Sequence, residues 1–372
     1  MDEYRKLQKH LNSQAVPFPA TMSGTELKIL KHIFTPDEAE IASNLSFRFE
    51  SVKKIHSKIN KTIDLNELEK ILDNILEKGG IAYKAINGES HYCNISLVMG
   101  MYEGQLFRLS EDFLKDFKKY IYHPSFAISY LSTSKPQMRT IPIAKSITPE
   151  HKIEAYDKVQ DLIEKSQCRV IVECICQKAV EVGGGHCNAT SRKERCLALD
   201  DLAAICIKLN LGREISKKEA LEIMELNQKD SLIHQVSNAK KPDVICSCCS
   251  CCCGMLDIQK NLPRPKDFWA TNFYAQIDPK VCNGCGSCAK ICQANAVDYD
   301  KKKKTTTIKI HRCIGCGNCV VVCKSNAISL LKNDEETIPP DTSEDLFEEI
   351  YQNKKNTWEK FKMIFKIIFR IK

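Results

Sequence analysis

Cys282-Asn-Gly-Cys285-Gly-Ser-Cys288-Ala-Lys-Ile-Cys292 and Cys313-Ile-Gly-Cys316-Gly-Asn-Cys319-Val-Val-Val-Cys323 are two copies of one pattern, C-x2-C-x2-C-x3-C. Cysteines this close in sequence cannot meet the Cα separation of about 4.4–6.8 Å that a disulfide demands, so the spacing suits metal. Gly284, Gly286, Gly315 and Gly317 let the backbone fold tightly around whatever the thiolates hold. The x3 step suits a following helical turn, which points each fourth thiolate away from its own loop.

Around these runs lies a chain of 372 residues with 21 cysteines, 43% hydrophobic and 27% charged residues, and a net charge of +8. The length predicts two or three domains, and the composition excludes wholesale disorder. No stretch is apolar for the roughly 18 residues that span a bilayer, and Met1 to Ala20 lacks the apolar core of a secretory signal. Short-spaced thiols without an export signal point to a reducing, anaerobic cytoplasm. Only Cys93 precedes Cys168, so the thiols divide the chain into a cysteine-poor N-terminal part, a cysteine-rich centre and a cysteine-free tail.

The centre holds Cys174-Ile-Cys176, Cys187 and Cys196, then Cys246-Ser-Cys248-Cys249-Ser-Cys251-Cys252-Cys253-Gly254. Six thiols in eight residues exceed what one metal ion takes, and hydrophobic packing does not ask for such a run. Each group follows a short strand, Arg169–Glu173 or Asp243–Ile245, so two loops are expected to converge on one site. Cys174, Cys176, Cys187 and Cys196 form a first candidate ligand set, and Cys248, Cys249, Cys252 and Cys253 a second. At least one [4Fe–4S] cluster beyond whatever the duplicated run holds is expected here, with zinc as the competing metal. Arg192, Lys193 and Arg195 would offset an anionic cluster. His186 is a candidate ligand or hydrogen-bond donor, and His234 a candidate ligand or proton-coupled group. Cys93, Cys168 and Cys206 read as packed thiols. Gly183-Gly184-Gly185 lacks the spacing of a dinucleotide fingerprint, and no phosphate-binding loop is present, so a nucleotide site is unsupported.

Outside the thiols, residues 1–24 read as a tail. Thr35-Pro36, Asp64 with Glu67, the stripe Leu65 to Leu76, and a hairpin turning at Asn87-Gly88 organise residues 25–100. That helix-then-hairpin order resembles the winged helix-turn-helix families. Residues 101–166 read as a helical connector, 167–262 as a cysteine-rich α/β metal domain, and 268–332 as the domain of the two quoted runs. Residues 333–356 read as an acidic linker. In 357–372, Trp358, Phe361, Ile364, Phe365, Ile368 and Ile371 share one helical face opposite Glu359, Lys362, Lys366 and Arg370. Such a basic amphipathic helix fits a membrane surface, a partner groove or this protein's own core.

The duplicated run resembles two-cluster bacterial-type ferredoxins over about residues 273–332. The resemblance implies one [4Fe–4S] cluster on Cys282, Cys285, Cys288 and Cys323, and another on Cys313, Cys316, Cys319 and Cys292. The sequence departs from that family at Gln293 and Lys324, where proline is usual, and in the basic insert Lys301–Lys304. Cys252-Cys253-Gly254 resembles the cysteine-rich domains of heterodisulfide reductases, and the whole is similar to multi-cluster 4Fe–4S proteins of anaerobes. The expected molecule is an α+β multidomain electron carrier or relay subunit. Its redox partners are expected to be acidic, with a peripheral position at the inner membrane face through residues 357–372 as a further expectation. The competing expectations are a redox-sensing, DNA-binding regulator and a catalytic iron–sulfur reductase subunit.

Overall fold

The computed structural model describes residues 2–59, 63–147, 153–356, 358–360, 362 and 365. Local signals start the N-terminal helices. The Thr35 hydroxyl accepts from the Glu38 amide at 3.4 Å while the Glu38 carboxylate accepts from the Thr35 amide at 2.8 Å. This closed capping box precedes the helix Pro36–Ala42. Asp64 caps Leu65–Glu77, which buries Leu68, Leu72, Ile75 and Leu76. Strands β1 (Glu50–Ser51), β2 (Ile81–Ile86) and β3 (Glu89–Asn94) form a sheet in the order β1-β3-β2. Asn87 and Gly88 both take positive φ, as the tight turn of a two-residue hairpin requires.

The first residues are not a tail. The helix Glu3–Ser13 buries Tyr4, Leu7 and Leu11 in the same core as Leu30, Ile33 and Leu72. Their three- and four-residue spacing makes one apolar stripe, hidden in the sequence by the charges between them.

The connector holds the helices Glu111–Ile121, Pro124–Leu131 and Val159–Lys165, and it also supplies strand β4 (Met138–Thr140). With β5 (Arg169–Glu173), β6 (Glu194–Leu199), β7 (Gly212–Glu214), β8 (Ile233–Ser237) and β9 (Val244–Cys248) it forms a six-stranded sheet, ordered β4-β8-β9-β6-β5-β7. Every pairing in this sheet is antiparallel, so the expected α/β centre is instead α+β. The helix Lys217–Lys229 covers one face, where Ile171, Leu197, Met224, Val236 and Ile245 are buried.

Beyond a short turn at Pro265–Phe268, β10 (Phe273–Ile277) pairs antiparallel with β13 (Ile328–Lys332), and β11 (Val297–Asp300) with β12 (Thr305–Ile308). The basic insert Lys301–Lys304 is the turn between β11 and β12.

The acidic linker also differs from expectation. It contains the helix Ser343–Gln352, started by a Thr342/Asp345 capping box, with Leu346 and Ile350 buried against Ala15 and Phe47. The amphipathic face expected over 357–372 lies largely outside the described residues. Among the described residues no helix is long and apolar enough to cross a membrane.

Candidate metal centres

The duplicated run folds as two matching loops. Each third cysteine sits in a short helix, Ser287–Ile291 or Asn318–Val321, entered through Gly286 at φ +71° or Gly317 at φ +82°. Each fourth cysteine then accepts a backbone N–H four residues on: Ala296 to Cys292 Sγ at 3.2 Å, and Ala327 to Cys323 Sγ at 3.3 Å. Cys313 Sγ accepts from the Ala275 amide at 3.3 Å. Such N–H donors stabilise thiolate, the form that ligates iron. Burial raises Cys313, Cys316 and Cys319, with Cys316 pushed up to about 12, and in each case the neighbouring Cys292 raises it further. The structure thus brings Cys292 of the first run to the three loop cysteines of the second. Cys288 likewise feels Cys282. This donor set fits two cubanes.

The central thiols divide differently from the two sets expected. Cys174 and Cys253 cap the helices Ile175–Val182 and Gly254–Asn261, while Cys196 lies on β6 and Cys246 and Cys248 on β9. In the β6–β9 ladder Leu197 pairs with Ile245, which sets Cys196 opposite Cys246. Cys174 neighbours Cys176 and Cys196, Cys246 neighbours Cys196 and Cys248, and Cys253 neighbours Cys248 and Cys176 closely enough for each thiol to shift the titration of the next. The six sulfurs close a ring. Thiol donors hold Cys174 and Cys253 well below the ordinary range and bring Cys246 to about 5, while Cys176, Cys196 and Cys248 are raised.

The remaining thiols form a second group, in which Cys187 Sγ lies 3.6 Å from Cys249 and 3.8 Å from Cys251. Cys251 is 3.3 Å from Cys249 and 3.8 Å from Cys252. Cys187 therefore leaves its expected set, Cys249 and Cys252 leave theirs, and Cys246 and Cys251, absent from both, take part. The physical reason is direction. Cys246 and Cys248 share one face of β9 and Cys253 starts the next helix, whereas the loop between them turns Cys249, Cys251 and Cys252 toward the loop carrying Cys187.

Arg195 stands between the two groups, fully buried. Its guanidinium donates to Cys174 at 3.3 Å, Cys249 at 3.7 Å and Cys187 at 3.8 Å. Val172 pairs with Cys196 and Glu173 with Glu194, so Arg195 is the extra residue of a β-bulge, a device that re-aims a side chain. The other expected cations turn elsewhere: Arg192 pairs with Asp230 at 2.6 Å and Lys193 with Glu181 at 3.0 Å. His186 is exposed, Cys93 and Cys206 are buried, and Cys168 is half-buried.

His234 is buried on β8 and reaches Ser247 Oγ at 3.2 Å through Nδ1. Ser247 alternates with Cys246 and Cys248 along β9, so this pair lies on the sheet face away from those thiols. Burial lowers His234 to about 4. The folded value lies below the ordinary one of about 6.5, so stability is complete above the latter and falls as pH drops toward the former. Between about pH 7.5 and about pH 5.5 the loss is about 1.4 kcal/mol. His234→Gln removes this slope, and anaerobic thermal-unfolding midpoints of both proteins at the two pH values check it.

Gln293, standing where proline is usual in ferredoxins, joins the modules. Its Nε2 donates to the Ser231 carbonyl at 2.7 Å and its Oε1 accepts from the Ser250 amide at 2.6 Å. Asn318 Nδ2 also donates to Ser231, at 2.8 Å, and the Ile143 amide donates to the Cys316 carbonyl at 3.1 Å. Cys248 and Cys253 of the ring share one apolar cluster with Cys288, Cys313 and Cys319.

Residues 281–327 match the family model of the 4Fe–4S dicluster domain, which supports an iron–sulfur, ferredoxin-like domain in this part of the chain. No curated protein matches the chain.

Proposed function

We propose that this is an electron-transfer protein that passes single electrons between redox partners. Two clusters belong to Cys282, Cys285, Cys288 and Cys323 and to Cys313, Cys316, Cys319 and Cys292, and a further one belongs to the six-thiol ring. When bound, each cluster supplies one-electron oxidation and reduction with little change of shape. The observation that carries this reading is continuity: ring and ferredoxin cysteines share one apolar cluster, and Gln293 ties the residue after Cys292 to the loop of Cys249 and Cys251. Cys288, Cys313 and Cys319 are buried while Cys285 is exposed, and the Ala275, Ala296 and Ala327 amides stabilise the thiolates of Cys313, Cys292 and Cys323. Anaerobically purified protein is expected to carry about eight irons and about eight sulfides from the ferredoxin module. More iron is expected from the ring, with stepwise EPR signals on reduction. Colourless, iron-free material would end the proposal.

The N-terminal helices with the β1-β3-β2 sheet support a winged-helix reading, used here for protein contact. Lys53, Lys54 and Lys58, which a nucleic acid would need, pair with Glu89 at 3.7 Å and with Glu50 at 3.0 Å and 2.5 Å. The net charge favours acidic redox partners in a reducing cytoplasm, with residues 357–372 reaching a partner groove or the inner membrane face.

A second, catalytic reading is favoured by a cavity of about 1320 Å³ bordered by Cys174, Cys176, Cys246, Met99, Tyr102 and Glu103. Glu103 is exposed, and its carboxylate accepts from the Gly100 amide at 2.7 Å. Failure of the reduced protein to turn over small disulfides would remove this reading.

A further inference from the structure

We infer that Cys187, Cys249, Cys251 and Cys252 bind one tetrahedral, thiophilic metal ion, a site separate in kind from the iron–sulfur clusters and independent of the electron-transfer reading. The geometry carries it. Four thiolates around a single ion with metal–sulfur bonds of about 2.3 Å stand at the corners of a tetrahedron with edges of about 3.8 Å. Four of the six sulfur separations in this group are 3.3, 3.6, 3.8 and 3.8 Å, and all six lie within 4.8 Å. Among the described residues it is the one group of three or more potential ligands whose atoms all lie within 4.8 Å of one another. Neither ferredoxin foursome has that spacing. In a cubane each thiolate binds a different iron, and bridging sulfides hold the irons apart, so cubane thiolates stand farther from one another than those on one ion. A disulfide needs an S–S distance of about 2.0 Å, well inside these separations.

The surroundings agree with a single dication. Four thiolates on a 2+ ion leave a net charge of 2−, and the buried Arg195 guanidinium stands 3.7 Å from Cys249 and 3.8 Å from Cys187. All four positions are filled by sulfur, the closed arrangement of a structural site. Cys187 comes from a loop far upstream of the other three, so the ion pins that loop to the one whose Ser250 amide meets Gln293. This accounts for the crowding of six thiols into eight residues: three serve the ring and three the ion.

Zinc and mononuclear iron share this chemistry, and metal analysis separates them. Anaerobically purified full-length protein is expected to contain one zinc per chain, or one iron in excess of acid-labile sulfide. Cys251→Ser is expected to lose that one ion while cluster iron and sulfide stay at wild-type levels. X-ray absorption at the edge of that metal, on wild-type protein, is expected to show four sulfur neighbours and no nearby iron; it holds even if the variant fails to fold. The inference is overturned if Cys251→Ser loses iron and sulfide in equal numbers. It is equally overturned if wild-type protein contains no zinc and its iron equals its sulfide.

Discussion

Arg195→Met is expected to strip the central thiol groups of the metal proposed for them while the ferredoxin clusters persist. Arg195 is the one cation within reach of both groups among the described residues, donating to Cys174, Cys187 and Cys249 from a fully buried position. Without it, thiolates on both sides face one another in a poorly solvated interior, and removing one partner of such a buried charge set costs about 3–5 kcal/mol. The expected result is a lowered anaerobic melting midpoint and loss of the central iron, with ferredoxin EPR signals retained. Arg195→Lys is expected to fall between the two proteins, because an ammonium keeps the charge but lacks the planar fork that reaches three sulfurs. Unchanged iron content and melting in Arg195→Met would show that the thiol groups do not depend on this counter-charge.

Gly315→Ala is expected to cost the protein one cubane, about four irons per chain. Gly315 has φ +67°, and a Cβ there would lie 2.4 Å from the Phe273 carbonyl oxygen and 2.6 Å from Thr271 Oγ1. The left-handed conformation alone costs an L-residue about 1–2 kcal/mol. The clash adds to this, because Phe273 is fully buried and its backbone is paired with Lys332 across β10–β13. The loop carrying Cys313 and Cys316 must therefore shift, and its thiolates leave register with Cys319 and Cys292. Gly24→Ala is the control: Gly24 has φ +63° but nothing within 4 Å of the added carbon, so it bears the strain without the clash and keeps its iron. Iron and sulfide analysis of the two variants decides the matter. Full iron in Gly315→Ala would mean that the tight approach to β10 is dispensable.

Where a signal spans one turn of chain, reading the residues in order was enough. The cap at Thr35, the Asn87-Gly88 turn and the stripe Leu68 to Leu76 depend on neighbours a few residues apart and form as their spacing requires, while Asp64 caps its helix through the Asn66 amide and closes no box with Glu67. The helix Ser343–Gln352 had such a signal too, Thr342 with Asp345, masked by the surrounding acids and Pro339-Pro340. The helix Glu3–Ser13 carried a stripe of only three apolar residues among charges, and what makes it core is a partner surface formed far downstream.

The iron-binding competence of the loop cysteines Cys282, Cys285 and Cys288, and of Cys313, Cys316 and Cys319, is a property of local spacing, since a few bonds of chain limit where each thiolate reaches, whereas Cys292 meets the second loop only through the fold. Which central sulfurs share a site is a property of assembly. It depends on the β6–β9 register that sets Cys196 against Cys246, on the bulge that swings Arg195 between the groups, and on the loop direction that parts Cys249 from Cys248. Those relations join segments separated by tens of residues. No periodicity records them, because they arise only when the strands pair.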